Sequence, residues 1–263
     1  MSNYVLRERH GATLVIRINR PERRNAFDLD VREGIAKAVY EARDDEDVRA
    51  VIITGADGVF CAGGDLKSLS ANKRPIFKDR DRIRRLHPWF RELVNLEKPV
   101  IAAVDGPAFG AGFNLALACD FIIGTPRTRF CAVFGRIGLV PDLGGFFLLP
   151  RIVGLQRAKD LVFSAREVDA QEAQSLGIMI RSVTPDRLME EALAFAERYH
   201  RASTEALGIA KNILNRSFNL DQDTLAELES SAQALALHTA YHDEAVANFL
   251  GKRPLAFKGG EHT

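Results

Sequence analysis

The 263-residue sequence has few cysteines, almost no net charge and no long apolar segment. Its three cysteines, Cys61, Cys119 and Cys131, are odd in number and lack the spacing of a metal-binding motif. No apolar run approaches the ~20 residues that a membrane-spanning helix needs. The first residues show no basic segment followed by an apolar one, as a secretion signal would. These absences predict a cytoplasmic protein without a metal site.

The charge balance excludes two further classes of partner. The 36 basic and 35 acidic side chains leave a formal charge of +1, so the whole molecule has neither a nucleic-acid footprint nor a membrane-surface patch. A hydrophobic content of 46% is enough for a full core, and the length suits one large domain with an appended element. The expected partner is therefore a small molecule or another copy of the chain.

A repeated pattern of strand, glycine turn and helix organises the centre of the chain. The β-branched run at 49–54 predicts a strand buried on both faces, and it leads into the turn at 60–66. The run at 99–105 predicts a second such strand, followed by the glycine turn 106–112 and an apolar helix. Glycines in these turns allow a ligand to approach the backbone closely. We therefore expect an α/β fold.

The flanking segments have weaker patterns. A hairpin is predicted at 4–19, and a helix should begin near Asp28 or Asp30. Strand signals stop at Pro185, after which the composition favours three helices, the last at about 221–250. We expect a core domain at 1–200 and a helical oligomerisation region at 201–263. Further elements are expected as a strand at 120–124, helices at 144–152, 156–165 and 169–176, and a strand at 178–183.

A charged region lies at about 67–96, with basic residues interleaved with Asp79 and Asp81. It is typical of a solvated helix face, and we prefer that interpretation to a phosphate-binding patch. His87 has no sequence neighbour that would make it a metal ligand or a base. We expect it to be structural.

One carboxylate, Asp142, stands alone in the apolar and glycine-rich segment 137–145. Either it caps the helix that follows, or it acts as a catalytic base. The two glycine turns favour the second interpretation, because each could direct backbone N–H groups at a shared point. A base beside two amide donors predicts enolate chemistry.

Several of these segments together resemble the enoyl-CoA hydratase/isomerase (crotonase) family over about residues 5 to 258. The order of the motifs carries the resemblance, since each short glycine pattern alone is weak. They are Asn19-Arg20-Pro21 with Asn25-Ala26, Phe60-Cys61-Ala62-Gly63-Gly64-Asp65-Leu66, Pro99 to Val104 with Gly110-Ala111-Gly112, Ala118-Cys119-Asp120, and the loop Gly138…Pro141…Gly144-Gly145.

The resemblance implies a crotonase-like spiral of ββα repeats followed by an α-helical trimerisation region, assembled as a trimer or a dimer of trimers. It also implies an acyl-CoA thioester substrate and no metal or redox cofactor. The oxyanion-hole donors would be the backbone N–H groups of Gly64 and Ala111. Coenzyme A would be bound by residues of the first turn, an upstream loop and the C-terminal region, namely Arg24, Ala62, Asp65, Leu66, Lys67, Phe249 and Lys252.

The sequence departs from the pattern of the family's hydratases at two positions. Those enzymes use two glutamates, and the matching positions here are Asn114 and Phe134, which cannot exchange a proton. Asp142 matches the acidic position of another branch, which includes Δ3,Δ2-enoyl-CoA isomerases, dienoyl-CoA isomerases and isomerases of ring-epoxidised phenylacetyl-CoA. The segment 137–142 looks closest to the last group.

We therefore expect an isomerase that shifts a double bond through an enolate, with Asp142 as its base. A hydratase with a rearranged acid and base is the first alternative. A CoA-thioester-binding subunit without catalytic activity is the second. Retention of an acidic residue beside both glycine turns argues against the second alternative.

Overall fold

Strands of the chain form two sheets, and the computed structural model describes residues 4–67 and 75–259. In chain order the strands are β1 (Val5–His10), β2 (Thr13–Ile18), β3 (Ala50–Gly55), β4 (Val100–Val104), β5 (Pro107–Phe109), β6 (Phe121–Gly124), β7 (Arg129–Cys131), β8 (Glu167–Asp169) and β9 (Arg181–Ser182). The larger sheet has the order β1-β2-β3-β4-β6-β9, and the smaller has the order β5-β7-β8.

Helices connect and cover these strands. In chain order they are α1 (Leu29–Asp44), α2 (Ile76–Arg84), α3 (His87–Val94), α4 (Ala111–Leu117), α5 (Gly145–Val153), α6 (Leu155–Ser164), α7 (Ala170–Ser175), α8 (Leu188–Glu197), α9 (Thr204–Leu214), α10 (Gln222–Leu237) and α11 (Ala240–Leu250). Short 3-10 turns lie at Pro21–Arg23, Val133–Ile137, Pro185–Arg187 and Ser217–Asn219.

The larger sheet is parallel except for the antiparallel hairpin β1–β2. All five residues of β4 are buried, and so are all residues of β3 except its last, Gly55. Continuous apolar sequence is what a parallel strand covered on both faces requires. The predictions of a hairpin at the N-terminus and of two doubly buried strands are therefore confirmed.

Apolar layers cover both faces of the larger sheet. On one face Leu188, Ala192 and Phe195 of α8 pack against a cluster that includes Ile52 and Ile101. On the other face a larger cluster joins the sheet to α1, α3, α4 and the smaller sheet. The strands are held between these layers, so their ends are fixed in position.

The chain repeats one path from sheet to sheet. β4 leads into β5 and β6 leads into β7, so each pair supplies one strand to each sheet. After β3, Cys61 forms a parallel bridge with Ala108 of β5, and Phe27, after β2, forms one with Gly64. This is the expected spiral of ββα repeats. Its consequence is that the glycine turns meet beyond the carboxyl ends of the parallel strands.

Side chains cap several helices where the sequence predicts a start. Asp28, one of the two expected caps, accepts a hydrogen bond from the amide of Val31 at 2.9 Å and begins α1. The helices α5, α6 and α7 each lie within one residue of the expected ends. The strand expected at 178–183 is shorter, because only Arg181 and Ser182 pair with β6.

The single long helix expected at about 221–250 is wrong. Thr239 is extended, and its hydroxyl accepts a hydrogen bond from the amide of His242 at 3.2 Å, so it ends α10 and begins α11. Four helices of the described residues, rather than three, follow Pro185. Neither α10 nor α11 has a buried residue in the single chain. The predicted division into 1–200 and 201–263 stays a prediction.

Within residues 4–67 and 75–259, no helix is long and apolar enough to cross a membrane.

Candidate active site

A cavity of about 940 Å³ lies between the two glycine turns, α1, α2, α3 and the loop that contains Asp142. Its lining brings together residues from distant parts of the sequence. The lining residues include Gly64, Ala111, Phe134, Asp142, Arg32 and Arg82. The cavity therefore joins the two predicted amide donors to the predicted base.

The two glycine turns touch each other through their backbones. A Cβ added to Gly112 would lie 2.4 Å from the carbonyl oxygen of Cys61, and one added to Gly63 would lie 2.8 Å from that of Phe109. Gly63 also has a φ of +96°, which side-chain-bearing residues rarely adopt. Only glycine at these positions allows the turns to approach this closely.

Gly64 and Ala111, one from each turn, both line the cavity. The residues on either side of Gly64 pair with Phe27. The amide of Phe27 donates to the carbonyl of Gly63, and the amide of Asp65 donates to the carbonyl of Phe27. Ala111 is the first residue of α4. Within the described residues, neither the amide of Gly64 nor that of Ala111 donates to a backbone acceptor. Two such donors can stabilise negative charge on a thioester oxygen.

Asp142 is half-buried, and its Oδ1 is fully buried without a hydrogen-bond partner. It does not cap α5, whose N-cap is Gly144 and has no side-chain cap. The loop backbone is unusual here, because Leu143 has a φ of +40° and Gly144 one of +70°. A left-handed conformation in a buried leucine costs free energy, and such strain concentrates at functional sites.

The surroundings of Asp142 raise its pKa above that of an ordinary aspartate. Burial is the main cause, because it disfavours the charged form. The positive charges of Arg82 and Arg32 oppose the shift without cancelling it. A carboxyl with a raised pKa can accept a proton and return it, which suits acid–base catalysis near neutral pH.

Asn114 and Phe134, which the resemblance places at the positions of the hydratase glutamates, are both buried. The Asn114 Nδ2 donates to the backbone carbonyl of Asp142 at 2.8 Å. A Cβ on Gly145 would lie 2.6 Å from the same Nδ2, so the asparagine fills the space beneath the loop. The Phe134 ring lies against Gly110, next to the amide of Ala111. Asn114 thus holds the loop, and Phe134 narrows the site.

The prediction that the charged region is a solvated face is only partly correct. Arg82 is half-buried and lines the cavity with Lys78 and Arg85, and exposed His87 lines it as well. Lys73 and Arg74, which belong to the same region, lie outside the described residues. Alternating charge does not reveal which face of a helix turns toward a cavity, so the sequence pattern missed these residues.

Arg32 was also missed, although it follows the predicted cap Asp28 by one helical turn. Burial lowers its pKa, and the neighbouring charge of Arg82 acts in the same direction. Its Nε is buried and has no hydrogen-bond partner. Its spacing from Asp28 is one signal in the sequence, because an arginine four residues after the cap lies on the same helix face as the cap.

The residues predicted to bind coenzyme A fall into two separate groups. Along the first glycine turn, Ala62 donates its amide to the carbonyl of Arg24 at 3.0 Å. Asp65 forms an ion pair with Arg20 at 3.3 Å and accepts from the amide of Lys67 at 3.1 Å. Leu66 is exposed, as is Lys67. Of these five residues, Asp65 lines the cavity in the described part of the chain. The role of all five in binding stays a prediction.

The second group comes from the C-terminal helices. Phe249 is 72% exposed, and Lys252 lies in the turn that follows α11. Neither Phe249 nor Lys252 is among the described residues that line the cavity. The role of Phe249 and Lys252 in binding stays a prediction.

The thiol of Cys61 lies in the first glycine turn but is unsuited to nucleophilic chemistry. It is fully buried, and burial raises its pKa to about 12. A thiol is the weaker nucleophile of the thiol–thiolate pair, so Cys61 contributes packing. In residues 4–67 and 75–259 no group of three or more His, Cys, Asp or Glu side chains could hold a metal ion.

Comparison with known proteins agrees with this geometry. A family model described as "Enoyl-CoA hydratase/isomerase" matches residues 8–260. The chain belongs to the enoyl-CoA hydratase/isomerase family. The crystal structure of an enoyl-CoA hydratase/isomerase from Cupriavidus metallidurans CH34 matches with a TM-score of 0.94 and 39% identity, covering 99% of this chain and 98% of that one. The crotonase-like fold and enzymatic character predicted from the sequence are therefore confirmed.

Relatives within the family have two different activities. A 1,2-epoxyphenylacetyl-CoA isomerase of Escherichia coli (strain K12) is 33% identical over 98% of this chain and 100% of its own length. A short-chain-enoyl-CoA hydratase of Clostridium acetobutylicum is 34% identical over 96% of this chain and 97% of its own. The two identities are nearly equal, so overall similarity does not distinguish the two reactions.

Proposed function

We propose that this protein is an acyl-CoA isomerase that shifts a double bond, with Asp142 as the group that moves the proton. One observation carries the proposal. Asp142, whose Oδ1 is buried without a partner, lines the same cavity as Gly64 and Ala111. By the family resemblance, a hydratase has glutamates at two positions, and this chain has Asn114 and Phe134 there.

The reaction follows from this geometry. The thioester oxygen would accept hydrogen bonds from the amides of Gly64 and Ala111. The Asp142 carboxylate would take a proton from the carbon next to the thioester carbonyl, and the electron pair would move into the conjugated enolate. The amides would stabilise the oxygen as its charge grows, each by about 3 kcal/mol. The carboxyl of Asp142 would then return the proton farther along the chain, which completes a shift without water.

Hydration fits the cavity less well. It needs one group to activate water and another to protonate the neighbouring carbon. Four further carboxylates line the cavity in the described part of the chain. Asp28 and Asp65 are ion-paired with Arg20 at 2.8 and 3.3 Å, and Glu33 and Asp81 are exposed to solvent. The Phe134 ring beside Gly110 would also exclude water from the place where a second carboxylate would hold it.

Binding and assembly follow the same proposal. Coenzyme A would extend along Arg24, Ala62 and Leu66, with Lys67 at the mouth of the cavity. Phe249 and Lys252 would reach it within an assembly of several copies, either a trimer or a dimer of trimers. No metal or redox cofactor is needed, and the protein would work in the cytoplasm.

A comparison of two substrates tests the proposal. A 3-enoyl-CoA and a 2-enoyl-CoA of equal chain length are supplied separately, and the absorbance of the conjugated thioester is followed. We expect absorbance to appear from the 3-enoyl substrate and to persist in the 2-enoyl substrate. Rapid loss of absorbance from the 2-enoyl substrate, with formation of the 3-hydroxy product, would assign the protein to the hydratases.

A further inference from the structure

Two residues that line the cavity each have a buried polar atom without a hydrogen-bond partner. One is the acceptor Asp142 Oδ1, and the other is the donor Nε of Arg32. Both are buried, and both residues line the same cavity. A buried donor without a partner is costly, especially when it belongs to a charged group. The acceptor is explained by its proposed role as a base, whereas the donor is not.

Arg32 differs from other arginines near the site. Arg20 reaches Asp28 at 2.8 Å, and Arg82 reaches Asp79 at 3.3 Å. Within the described residues, Arg32 makes no ion pair and no side-chain hydrogen bond, although the charges of Glu33, Asp142 and Asp28 favour its protonated form from a distance. The fold thus holds a guanidinium beside the cavity without using its donors.

Arg32 is not simply the counter-ion of Asp142. The two side chains attract each other electrostatically, but no ion pair joins them in the described part of the chain. A molecule seated between them would meet an acceptor at Asp142 and a donor at Arg32. The thioester oxygen is assigned to the amides of Gly64 and Ala111, so the donor of Arg32 needs a different oxygen.

We propose that Arg32 binds an oxygen atom carried by the acyl group, so that the preferred thioesters contain an oxygen acceptor beyond the thioester carbonyl. Arg82 supports this role, because its charge adds to the positive potential at the same place. An ether, an epoxide, a carbonyl or a distal carboxylate shares the required chemistry. This inference rests on the proposed binding of an acyl-CoA in this cavity, and it narrows the acyl group.

Binding of unreactive thioesters tests the inference independently of turnover. The ligands are octanoyl-CoA, three analogues in which an ether oxygen replaces the methylene at position 5, 6 or 7, and octanedioyl-CoA with a free distal carboxylate. Dissociation constants are measured by titration calorimetry for the wild type and for R32L, R32K and R84L. Arg84 is exposed, lies on the same helix as Arg82 and does not line the cavity, so R84L is the matched control.

We expect at least one oxygen-bearing thioester to bind the wild type as tightly as octanoyl-CoA or more tightly. Without a donor, an oxygen in this cavity would weaken binding, because its hydration would be lost. The affinity for this thioester relative to octanoyl-CoA is the oxygen preference. R32L should lower that ratio at least about tenfold, in line with a hydrogen bond to a charged group. R32K should keep part of the oxygen preference, and R84L should have the same oxygen preference as the wild type. Coupling to the ether or to the carboxylate identifies the source of the oxygen.

Two results would overturn the inference. One is weaker binding of every oxygen-bearing thioester by the wild type, which needs no variant to fold. The other is an equal loss of affinity for octanoyl-CoA and its analogues in R32L. Failure of the proposed isomerisation has a different signature, since double-bond migration would be absent while the oxygen preference remained. Loss of the preference with migration intact would refute the inference alone.

Discussion

At the residue scale, Asp142 carries the proposed chemistry. Asp142→Asn keeps the size of the side chain but cannot accept the proton. We expect kcat for the 3-enoyl-CoA to fall at least about a hundredfold, while thioester binding changes little. Turnover and a separate dissociation constant measure the two effects. Efficient reaction by the variant would remove Asp142 from the mechanism.

The pH dependence follows from the direction of the pKa shift. Because burial raises the pKa of Asp142, kcat/KM should fall on the acid side at a pH above the range of ordinary aspartates. A pH series of initial rates measures this limb. A limb at the position of an ordinary aspartate would contradict the burial argument.

The same shift predicts a gain in stability in Asp142→Asn. The native state keeps the proton of Asp142 at pH values where the unfolded chain has already released it, so the free energy of unfolding rises as pH falls through the folded-state pKa. Above that pKa the buried carboxylate is destabilising. Asp142→Asn should therefore be more stable than the wild type at pH 7 and lose this advantage in acid. Urea denaturation at both pH values checks it.

Asn114 is a positioning residue, since its Nδ2 holds the carbonyl of Asp142 at 2.8 Å. Asn114→Leu should lower kcat about tenfold and change KM little, because the loop loses a donor whose partner stays buried. A purely structural role would lower stability and leave kcat per folded molecule unchanged, so turnover is normalised to the folded fraction. Asn114→Glu should not create an efficient hydratase, because Phe134 still occupies the second position.

At the element scale, the site depends on the contact between two glycine turns. Gly112→Ala would place a Cβ 2.4 Å from the carbonyl of Cys61, so the turns must separate. We expect kcat/KM to fall at least tenfold as the amides of Gly64 and Ala111 lose their spacing. Gly135→Ala is the matched control, because its Cβ would make only an ordinary contact at 3.6 Å with Val162. Equal activity of both variants would contradict the close approach.

The sequence could predict the strands, the caps and the meeting of the glycine turns, because these depend on local pattern and on parallel-sheet geometry. Asp142, Gly64 and Ala111 follow from motifs placed at strand ends. The roles of Arg32, Arg82 and Asn114 could not be predicted, since they depend on which helix faces meet across a cavity. The break at Thr239 does have a signal in the sequence, because threonine is a preferred N-cap residue and its hydroxyl can accept from the amide three residues later.

At the scale of the whole molecule, the C-terminal helices have no buried residue, whereas α9 is fixed to the core. Lys211 of α9 pairs with Asp120 at 2.7 Å, and Asn215 donates to the carbonyl of Val94 at 2.9 Å. Exposed apolar side chains lie on α10 and α11, at the end of α9 and just after it, namely Leu214, Phe218, Leu235, Leu237, Val246, Phe249 and Leu250. Such a surface is typical of an interface between copies.

Removal of residues 221–263 should therefore abolish assembly while α9 stays in place. We expect the intact protein to form a trimer or larger oligomer, and the shortened chain to be monomeric or to aggregate. Light scattering measures both masses. A stable monomer of the intact protein at micromolar concentration would show that the C-terminal helices have another use.

The absence of buried residues in α10 and α11 also bears on how the chain acquires its structure. Helices of 16 and 11 residues without a fully buried side chain are marginal in water on their own. Their formation and the association of copies should then be a single event, and the helical circular dichroism signal should decrease on dilution. A substitution on this surface would be recorded in a thermal melt as lost stability, although every contact inside the core had been kept.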